Sequence, residues 1–253
     1  MSRRDVLLEE MGLGPRWRLR ARPVVDVVPD PATPESTSTA ASPVTAATVP
    51  AARREAILQM DWPALKRAVE QCVACPLHAK RTNTVFGVGD ERASWLFVGE
   101  GPGAEEDAKG EPFVGQAGRL LDNMLAAIGM RRGEDVYIAN VVKCRPPNNR
   151  NPESEEMSCC EPYLTRQIEL IQPKLIVAMG KIAASHLLQT DAAVASLRGR
   201  VHEYRGTPLI VTYHPAYLLR TLPDKAKAWA DLCFAQDRMA ALVASGAKAH
   251  GER

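Results

Sequence analysis

The segment Trp95–Asp107, WLFVGEGPGAEED, joins an apolar run to a glycine-rich acidic turn, and it decides the fold class. Its first four residues are apolar, as in a buried strand. The glycines and the proline that follow let the backbone turn sharply and approach a ligand closely. Four carboxylates crowd the same turn. Because a phosphate-binding loop is electropositive, this loop predicts a different chemistry, in which it handles a proton, a water molecule or a sugar cation.

Strands and helices alternate around this segment, which predicts an α/β fold: a three-layer α/β/α sandwich with a central, mostly parallel sheet. In such a sheet a ligand binds beyond the carboxyl ends of the strands, where Gly99, Asn140 and His214 are expected. The predicted strands are Trp95–Val98, Val136–Val142, Leu175–Met179, Val201–Tyr204 and Leu209–Thr212. The predicted helices are Ala52–Gln71, Ala117–Ile128, Ser154–Ile171, Gly180–Leu188 and Asp224–Ala244.

The N-terminal extension, residues 1–51, is predicted to be disordered and to precede the folded domain at 52–248. Residues 29–50 consist almost entirely of Pro, Ala, Thr, Ser and Val, so they cannot bury enough apolar surface to fold. The net charge of +2 permits a nucleic-acid partner without demanding one. No apolar stretch approaches the roughly 20 residues that cross a bilayer. We therefore expect a cytoplasmic, monomeric protein with no membrane contact.

Metal binding is the leading interpretation of the cysteines, of which the chain has six, because disulfides are rare in cytoplasmic proteins. Cys72 and Cys75 form a C-x2-C pair, and Cys144 and the Cys159-Cys160 pair follow much later. Two close thiolates and two distant ones suit either zinc or an iron–sulfur cluster, and a single C-x2-C pair favours the cluster. The alternative is that these side chains are small buried hydrophobes. Cys233 is assigned to the core of the last helix.

Three side chains near the predicted strand ends each have a structural and a functional interpretation. Phe113 is either a core residue or an aromatic platform for a nucleobase. Asn140 is either a turn cap or an amide that binds a base edge. His214 is either structural or part of an active site. The loop after Cys144 is either a solvated basic segment or a phosphate contact.

These motifs, taken in chain order, resemble the family 4 uracil-DNA glycosylases, the iron–sulfur branch of that superfamily. The ordered set spans residues 72–220 and is specific where each motif alone is weak. The matching segments are Cys72-x2-Cys75-Pro76, Phe97–Gly103, Gly110–Gly115, Asn140-x3-Cys144-Arg145-Pro146-Pro147, Cys160–Leu164 and His214–Arg220.

The resemblance implies a structural [4Fe–4S] cluster and excision of uracil from single- or double-stranded DNA, leaving an abasic site. The implied cluster ligands are Cys72, Cys75, Cys144 and Cys160, with Cys159 as the spare thiol. Uracil must leave the base stack to be reached.

The resemblance also implies the roles of the pocket residues. Phe113 stacks on the flipped base, Asn140 binds its pyrimidine edge, and His214 stabilises charge on its O2 atom. Glu106 orients the attacking water, with Glu100 as the second choice. The backbone at Gly99 and Gly101 approaches uracil, and the implied DNA contacts are Arg145, Asn149, Arg150 and Arg220.

The opening residues 2–22 resemble the N-terminal peptide of the bacterial polymerase III psi subunit, which engages the clamp loader. This resemblance implies a recruitment peptide on a flexible linker, and the alternative is a dispensable tail. Two other interpretations of the whole chain remain. One is a nucleic-acid-binding module whose cluster senses redox state; the other is a nucleotide hydrolase whose acidic loop holds Mg²⁺.

Overall fold

A six-stranded sheet forms the middle layer of the computed structural model, which describes residues 51–250. Its order is β1-β3-β2-β4-β6-β5, with parallel pairing from β3 to β6 and one antiparallel strand at each edge. The mostly parallel sheet predicted from the sequence is thereby confirmed. The strands are β1 (Val88–Gly89), β2 (Trp95–Gly99), β3 (Val136–Asn140), β4 (Leu175–Met179), β5 (Val201–Tyr204) and β6 (Thr207–Thr212).

Helices cover both faces of this sheet, and short 3₁₀ turns occur at Pro76–Ala79, Pro147–Asn149 and Leu222–Asp224. The helices are α1 (Ala51–Leu58), α2 (Trp62–Glu70), α3 (Ala104–Lys109), α4 (Gln116–Ala127), α5 (Ser154–Ile171), α6 (Lys181–Leu188), α7 (Val194–Leu197), α8 (Pro215–Arg220) and α9 (Lys225–His250).

Alternate side chains of each central strand enter two separate cores, which confirms the three-layer arrangement. In β2, Leu96 and Val98 belong to the core under α2, α5 and α6, whereas Phe97 belongs to the core under α4 and α9. Both faces of the central strands are buried because every crossover of a parallel sheet places a helix on one face. The apolar runs of the sequence reflect this double burial.

The predicted helix Ala52–Gln71 is wrong, because the chain breaks there into α1 and α2. Asp61 adopts an extended conformation and caps α2, its carboxylate accepting a hydrogen bond from the Ala64 N–H at 2.9 Å. Pro63 follows in the first turn of α2, where its missing N–H costs nothing. The Asp-x-Pro pattern at 61–63 was the signal for this break.

Two further boundaries differ from the prediction. The strand predicted over 136–142 ends at Asn140, although the Val141 and Val142 N–H groups still bond to the carbonyls of Gly99 and Glu100. The second half of the acidic turn is helical, as α3. Gly110, at φ +75°, ends this helix in a left-handed conformation that glycine adopts without strain.

The carboxyl ends of β2, β3, β4 and β6 lie at one edge of the sheet, since these four strands are parallel. Gly99, Asn140, Gly180 and His214 stand at or directly beyond those ends. No helix in the described part of the chain is long and apolar enough to cross a membrane. Residues 1–50 of the predicted N-terminal extension, with the peptide at 2–22, lie outside the described residues, and Ala51 begins α1.

Candidate active site

A cleft of about 810 Å³ opens at the carboxyl edge of the sheet. Its size falls in the range of small-ligand sites, which hold roughly 300–1,000 Å³. The structure brings most of the predicted site residues together around it. Those that line it are Glu100, Gly101, Glu106, Phe113, Asn140, Asn149, Arg150, His214 and Arg220.

Phe113 is held in a strained backbone conformation beside the cleft. Its φ is +55°, in the left-handed region that costs a non-glycine residue roughly 1–2 kcal/mol. The guanidinium of Arg132 donates to the carbonyls of Pro112 and Phe113, both at 2.8 Å, and also pairs with Asp122. Gly118 leaves room for this turn, because a Cβ there would lie 1.8 Å from the Phe113 carbonyl oxygen. The surrounding fold therefore fixes the ring at the cleft.

Asn140 has a buried acceptor that is unpaired in the described part of the chain. The side chain is 1% exposed, and its Oδ1 atom accepts no hydrogen bond from the described residues. A buried polar atom left unpaired costs roughly 1–3 kcal/mol, so its position in a cleft points to a ligand donor. Gly99 lies directly behind it and does not line the cleft itself. A Cβ on Gly99 would lie 2.5 Å from both Asn140 Oδ1 and Phe113 Cζ.

His214 faces the cleft as a neutral imidazole. Burial lowers its pKa to about 4, assisted by the positive charge of Arg220 and opposed by Glu106. Its Nδ1 accepts a hydrogen bond from the Ala216 N–H at 3.1 Å, so the ring proton lies on Nε2. Its ring centroid is 5.4 Å from that of Phe113, and Gly180 makes room behind its Cβ. The site therefore holds a fixed N–H donor beside an aromatic ring.

The four carboxylates of the acidic segment have different surroundings: two line the cleft, one is buried and one is exposed. Glu106 accepts hydrogen bonds from the backbone N–H groups of Gly103, Val114 and Gly115 at 3.1, 2.9 and 3.1 Å. These bonds fix its carboxylate at the cleft wall.

The remaining three acids have different surroundings. Glu100 also lines the cleft, and burial raises the pKa of its carboxyl. Asp107 is buried and accepts hydrogen bonds from the Thr82 and Asn83 N–H groups, so it stabilises the fold. Glu105 is exposed.

The predicted DNA-contacting residues have unequal surroundings. Arg220 is exposed at the rim of the cleft. Arg150 also lines it, but its guanidinium makes two hydrogen bonds to Glu156, at 2.8 and 2.6 Å. Arg145 does not line the cleft; its Nε donates to Asn149 Oδ1 at 2.7 Å. Arg220 is thus the cation of this set that is most available for a phosphate.

Five of the six cysteines surround a second, smaller cavity between α2, α5 and the loop after β3. They are Cys72, Cys75, Cys144, Cys159 and Cys160. None of them forms a disulfide with another described cysteine. No three His, Cys, Asp or Glu side chains among the described residues converge closely enough to hold a single metal ion. Cys233 lies in α9, away from this cavity.

Cations and N–H donors approach the sulfur atoms of this cavity. Arg81 donates to Cys144 Sγ at 3.2 Å, the Lys143 N–H to Cys160 Sγ at 3.3 Å, and Arg53 to Cys72 Sγ at 3.7 Å. Burial raises the pKa of the Cys160 thiol to about 12 and that of Cys75 to about 11. The cavity thus combines buried sulfurs with positive charge.

Sequence reasoning missed four residues of the site. Arg132 and Gly180 act on Phe113 and His214 through long-range contacts that no local pattern reveals. Tyr213 and Tyr217 line the cleft on either side of His214, and their rings stack on each other. Both tyrosines lie in the segment around His214, so their closeness to that predicted site residue could have indicated them.

The sequence of this chain is similar to a family model and to several curated proteins. Residues 86–233 match the family model described as the Uracil DNA glycosylase superfamily. The Type-4 uracil-DNA glycosylase of Archaeoglobus fulgidus is 49% identical over 60% of this chain and 80% of its own length. The Type-4 uracil-DNA glycosylase of Thermotoga maritima is 48% identical over 63% of this chain and 83% of its own length. A Type-5 uracil-DNA glycosylase of Pyrobaculum aerophilum is 30% identical over 51% of this chain and 64% of its own length.

The fold, the cleft and the family model together define the class as the uracil-DNA glycosylase superfamily. Within that superfamily, the chain belongs to the type-4 uracil-DNA glycosylases. The family predicted from the ordered sequence motifs is therefore confirmed.

Proposed function

We propose that this protein hydrolyses the N-glycosidic bond of deoxyuridine in DNA, releasing uracil and leaving an abasic site for base excision repair. The observation that carries the proposal is the unpartnered Oδ1 of Asn140, 1% exposed, beside Phe113 and His214 in one cleft. Membership in a family whose relatives are named for this activity supports it.

Asn140 supplies the specificity in this proposal. Uracil carries an N–H at N3, which satisfies the Oδ1 acceptor, whereas the N3 atom of cytosine is itself an acceptor. A site that leaves a buried polar group unpaired rejects the wrong ligand strongly, by as much as roughly 10⁴-fold. The Phe113 ring supports the face of the flipped base. Uracil thus binds by hydrogen bonding at its edge and by stacking.

His214 stabilises the departing base. Cleavage of the glycosidic bond leaves negative charge on uracil and positive charge on the sugar. A neutral imidazole, with its proton on Nε2, donates to uracil O2 as that charge grows. Its lowered pKa, about 4, keeps the ring neutral at physiological pH, and its hydrogen bond from Ala216 fixes the tautomer.

Glu106 holds the attacking water in this proposal. Its carboxylate is fixed by the three backbone donors and has lone pairs left for a water that attacks C1′. The negative charge also favours the sugar cation. Glu100 is the weaker candidate, because burial raises its pKa and disfavours the anion.

The reaction is tested with a single-stranded oligonucleotide that contains one uracil. We expect free uracil, and strand cleavage after alkali, with the activity retained in EDTA. A nucleotide hydrolase would instead require Mg²⁺ and act on mononucleotides, and a binding module would release nothing. Either of those results would contradict the proposal.

The roles of the two catalytic residues are separated by substitution. Glu106→Gln keeps one of the two oxygen acceptors that the backbone donors use and removes the charge, so excision falls on the order of 10²-fold or more. Glu105→Gln, in the exposed neighbouring position of α3, is the matched control and keeps full activity. His214→Ala loses the donor to O2. Full activity in Glu106→Gln beside an inactive His214→Ala would show that Glu106 does not position the water.

We further propose that Cys72, Cys75, Cys144 and Cys160 hold a [4Fe–4S] cluster, with Cys159 as the spare thiol. All four border one cavity, which supports the proposal, and Cys159 borders it too, so its place as the spare thiol rests on the family resemblance. A four-iron cluster binds each thiolate to a different iron, so its ligands stand further apart than those of a single ion. Bound there, the cluster is structural: it ties α2 and the loop after Cys144 to α5.

The ligand set is tested by iron and acid-labile sulfide analysis of the purified protein. We expect about four of each per chain. Cys144→Ser lowers both and lowers the thermal stability, whereas Cys233→Ser and Cys159→Ser leave both unchanged. Full iron content in Cys144→Ser would overturn this ligand set.

We propose that the DNA strand crosses the rim of the cleft, with Arg220 as the main phosphate contact and Asn149, Arg150 and Arg145 beside it. Arg220→Gln then weakens binding to every DNA sequence and reduces the slope of log K against log salt by about 1. An unchanged salt slope would remove Arg220 from the interface.

A further inference from the structure

The cleft continues beyond Phe113 and Asn140 to a pair of stacked tyrosines. The ring centroids of Tyr213 and Tyr217 lie 5.1 Å apart with an interplanar angle of 21°. Both rings line the cleft and both side chains are partly exposed. They flank His214 in the chain, and the reaction proposed above uses neither of them.

Two ion pairs hold this stack in place. The guanidinium of Arg198 lies 5.4 Å from the centroid of the Tyr213 ring, and it is fixed by hydrogen bonds to Asp231 at 2.9 and 2.7 Å. The Tyr217 hydroxyl donates a hydrogen bond to Asp224 at 2.7 Å, and Asp224 forms an ion pair with Lys227. Tyr213 thus contacts both the guanidinium of Arg198 and the ring of Tyr217.

The surroundings of Tyr217 suit a nucleobase of a DNA strand. Aromatic side chains in nucleic-acid grooves stack on bases, and every base offers a π-face irrespective of its sequence. Arg220 lies one helical turn after Tyr217 in α8, and Lys181 lines the same cleft. A base on Tyr217 would therefore have cations close to its phosphates.

We propose that the Tyr213–Tyr217 pair is a stacking site for the nucleobase next to the excised uracil in single-stranded DNA. This inference rests on the proposed function, because it assumes that uracil occupies the cleft. In a single strand the neighbouring base is free to stack on Tyr217. In a duplex the same base is paired and stacked with its neighbours, so reaching the ring requires further unpairing. The site therefore favours single-stranded substrates.

The test removes the ring and the neighbouring base separately. Tyr217→Ala and Tyr217→Phe are assayed on single-stranded oligonucleotides with one uracil, whose 5′ or 3′ neighbour is either thymine or a tetrahydrofuran abasic analogue. With thymine neighbours, Tyr217→Ala raises KM about tenfold. When the abasic analogue replaces the neighbouring base that stacks on Tyr217, Tyr217→Ala has the same KM as the parent protein. Tyr217→Phe keeps the ring and keeps the dependence on the neighbouring base.

The control is Trp229→Ala, which removes an exposed aromatic side chain that does not line the cleft, and we expect its KM to match the parent protein. A Tyr217→Ala defect of equal size on thymine and abasic-analogue substrates, for both neighbours, would overturn the inference. Such a defect would mean that Tyr217 only supports the fold.

A binding measurement separates this inference from the reaction. The unaltered protein is mixed with an oligonucleotide that carries 2-aminopurine beside 2′-fluoro-deoxyuridine, whose fluorine disfavours the sugar cation. Stacking on Tyr217 quenches the 2-aminopurine fluorescence at one of the two neighbouring positions, even if no uracil is ever released. Absence of quenching at both positions would refute the stacking site, whereas release of uracil would still support the proposed function.

Discussion

Replacing Gly99 by alanine tests whether Phe113 and Asn140 act as one unit. Gly99 ends β2 and lies behind both side chains. A Cβ there would lie 2.5 Å from Asn140 Oδ1, 2.5 Å from Phe113 Cζ and 2.8 Å from Phe113 Cε2. Gly99→Ala therefore changes the two walls of the uracil pocket without altering either residue.

The size of the effect follows from these distances. Ordinary van der Waals contact begins at 3.4 Å, so the two side chains must move by about 0.9 Å toward the cleft that they line. A displacement of about 1 Å from reacting geometry costs on the order of 10²-fold in rate. Overpacking of this kind also destabilises the fold by roughly 1–3 kcal/mol, which lowers Tm by several degrees. We expect kcat/KM to fall about 100-fold in a protein that remains folded at 25 °C.

The assay is single-turnover release of uracil from a single-stranded oligonucleotide, with thermal unfolding measured on the same samples. Gly129→Ala is the matched control: its φ of +72° strains an alanine, but no atom lies within 4 Å of the added Cβ. That variant loses roughly 1–2 kcal/mol of stability and keeps its kcat/KM. Gly99→Ala with kcat/KM within about threefold of the parent would refute the pocket geometry.

Three further predictions concern single residues. Asn140→Ala abolishes most uracil excision, yet the free energy of unfolding in urea stays constant or rises by about 1 kcal/mol, because an unpaired buried acceptor is removed; a large loss of stability would contradict this. The pKa of His214 is about 4 in the folded protein against 6.5 ordinarily, so between these values the unfolded state binds more protons and stability falls as the pH falls. His214→Gln removes that part of the pH dependence, measured by urea unfolding at several pH values, and an unchanged slope would contradict the shift. Arg132→Gln frees the backbone turn that strains Phe113 and lowers kcat/KM about tenfold in the excision assay; unchanged kcat/KM would show that the turn holds without it.

Local sequence patterns accounted for most of the fold. The apolar runs predicted the three central strands β2, β3 and β4, because burial on both faces removes polar residues from such strands. They did not predict β1, whose two residues carry no periodicity. They also missed α3, since a six-residue helix between glycines has the composition of a turn. The break before α2 had a local signal, at Asp61 and Pro63.

The candidate site was only partly predictable. Phe113, Asn140 and His214 stood out because each follows or adjoins a turn near a strand end, and the structure places all three in one cleft. The carboxylates of the acidic segment could not be separated by sequence, since Glu106 and Asp107 are adjacent and chemically alike. Only the helical turn of α3 directs Glu106 toward the cleft and buries Asp107 against the loop at 82–83.

The sequence by itself determined the layered α/β architecture, the strand ends where the ligand site lies, and the ordered motifs that identify the family. These are properties of short segments, so they can be predicted from composition and spacing. The tertiary structure alone decided that Asn140 Oδ1 has no partner among the residues 51–250, that Arg132 holds the Phe113 turn, and that Tyr213 and Tyr217 form a stack at the cleft. Those features depend on contacts between residues far apart in the chain, which form only when the parallel strands bring their carboxyl ends to one edge.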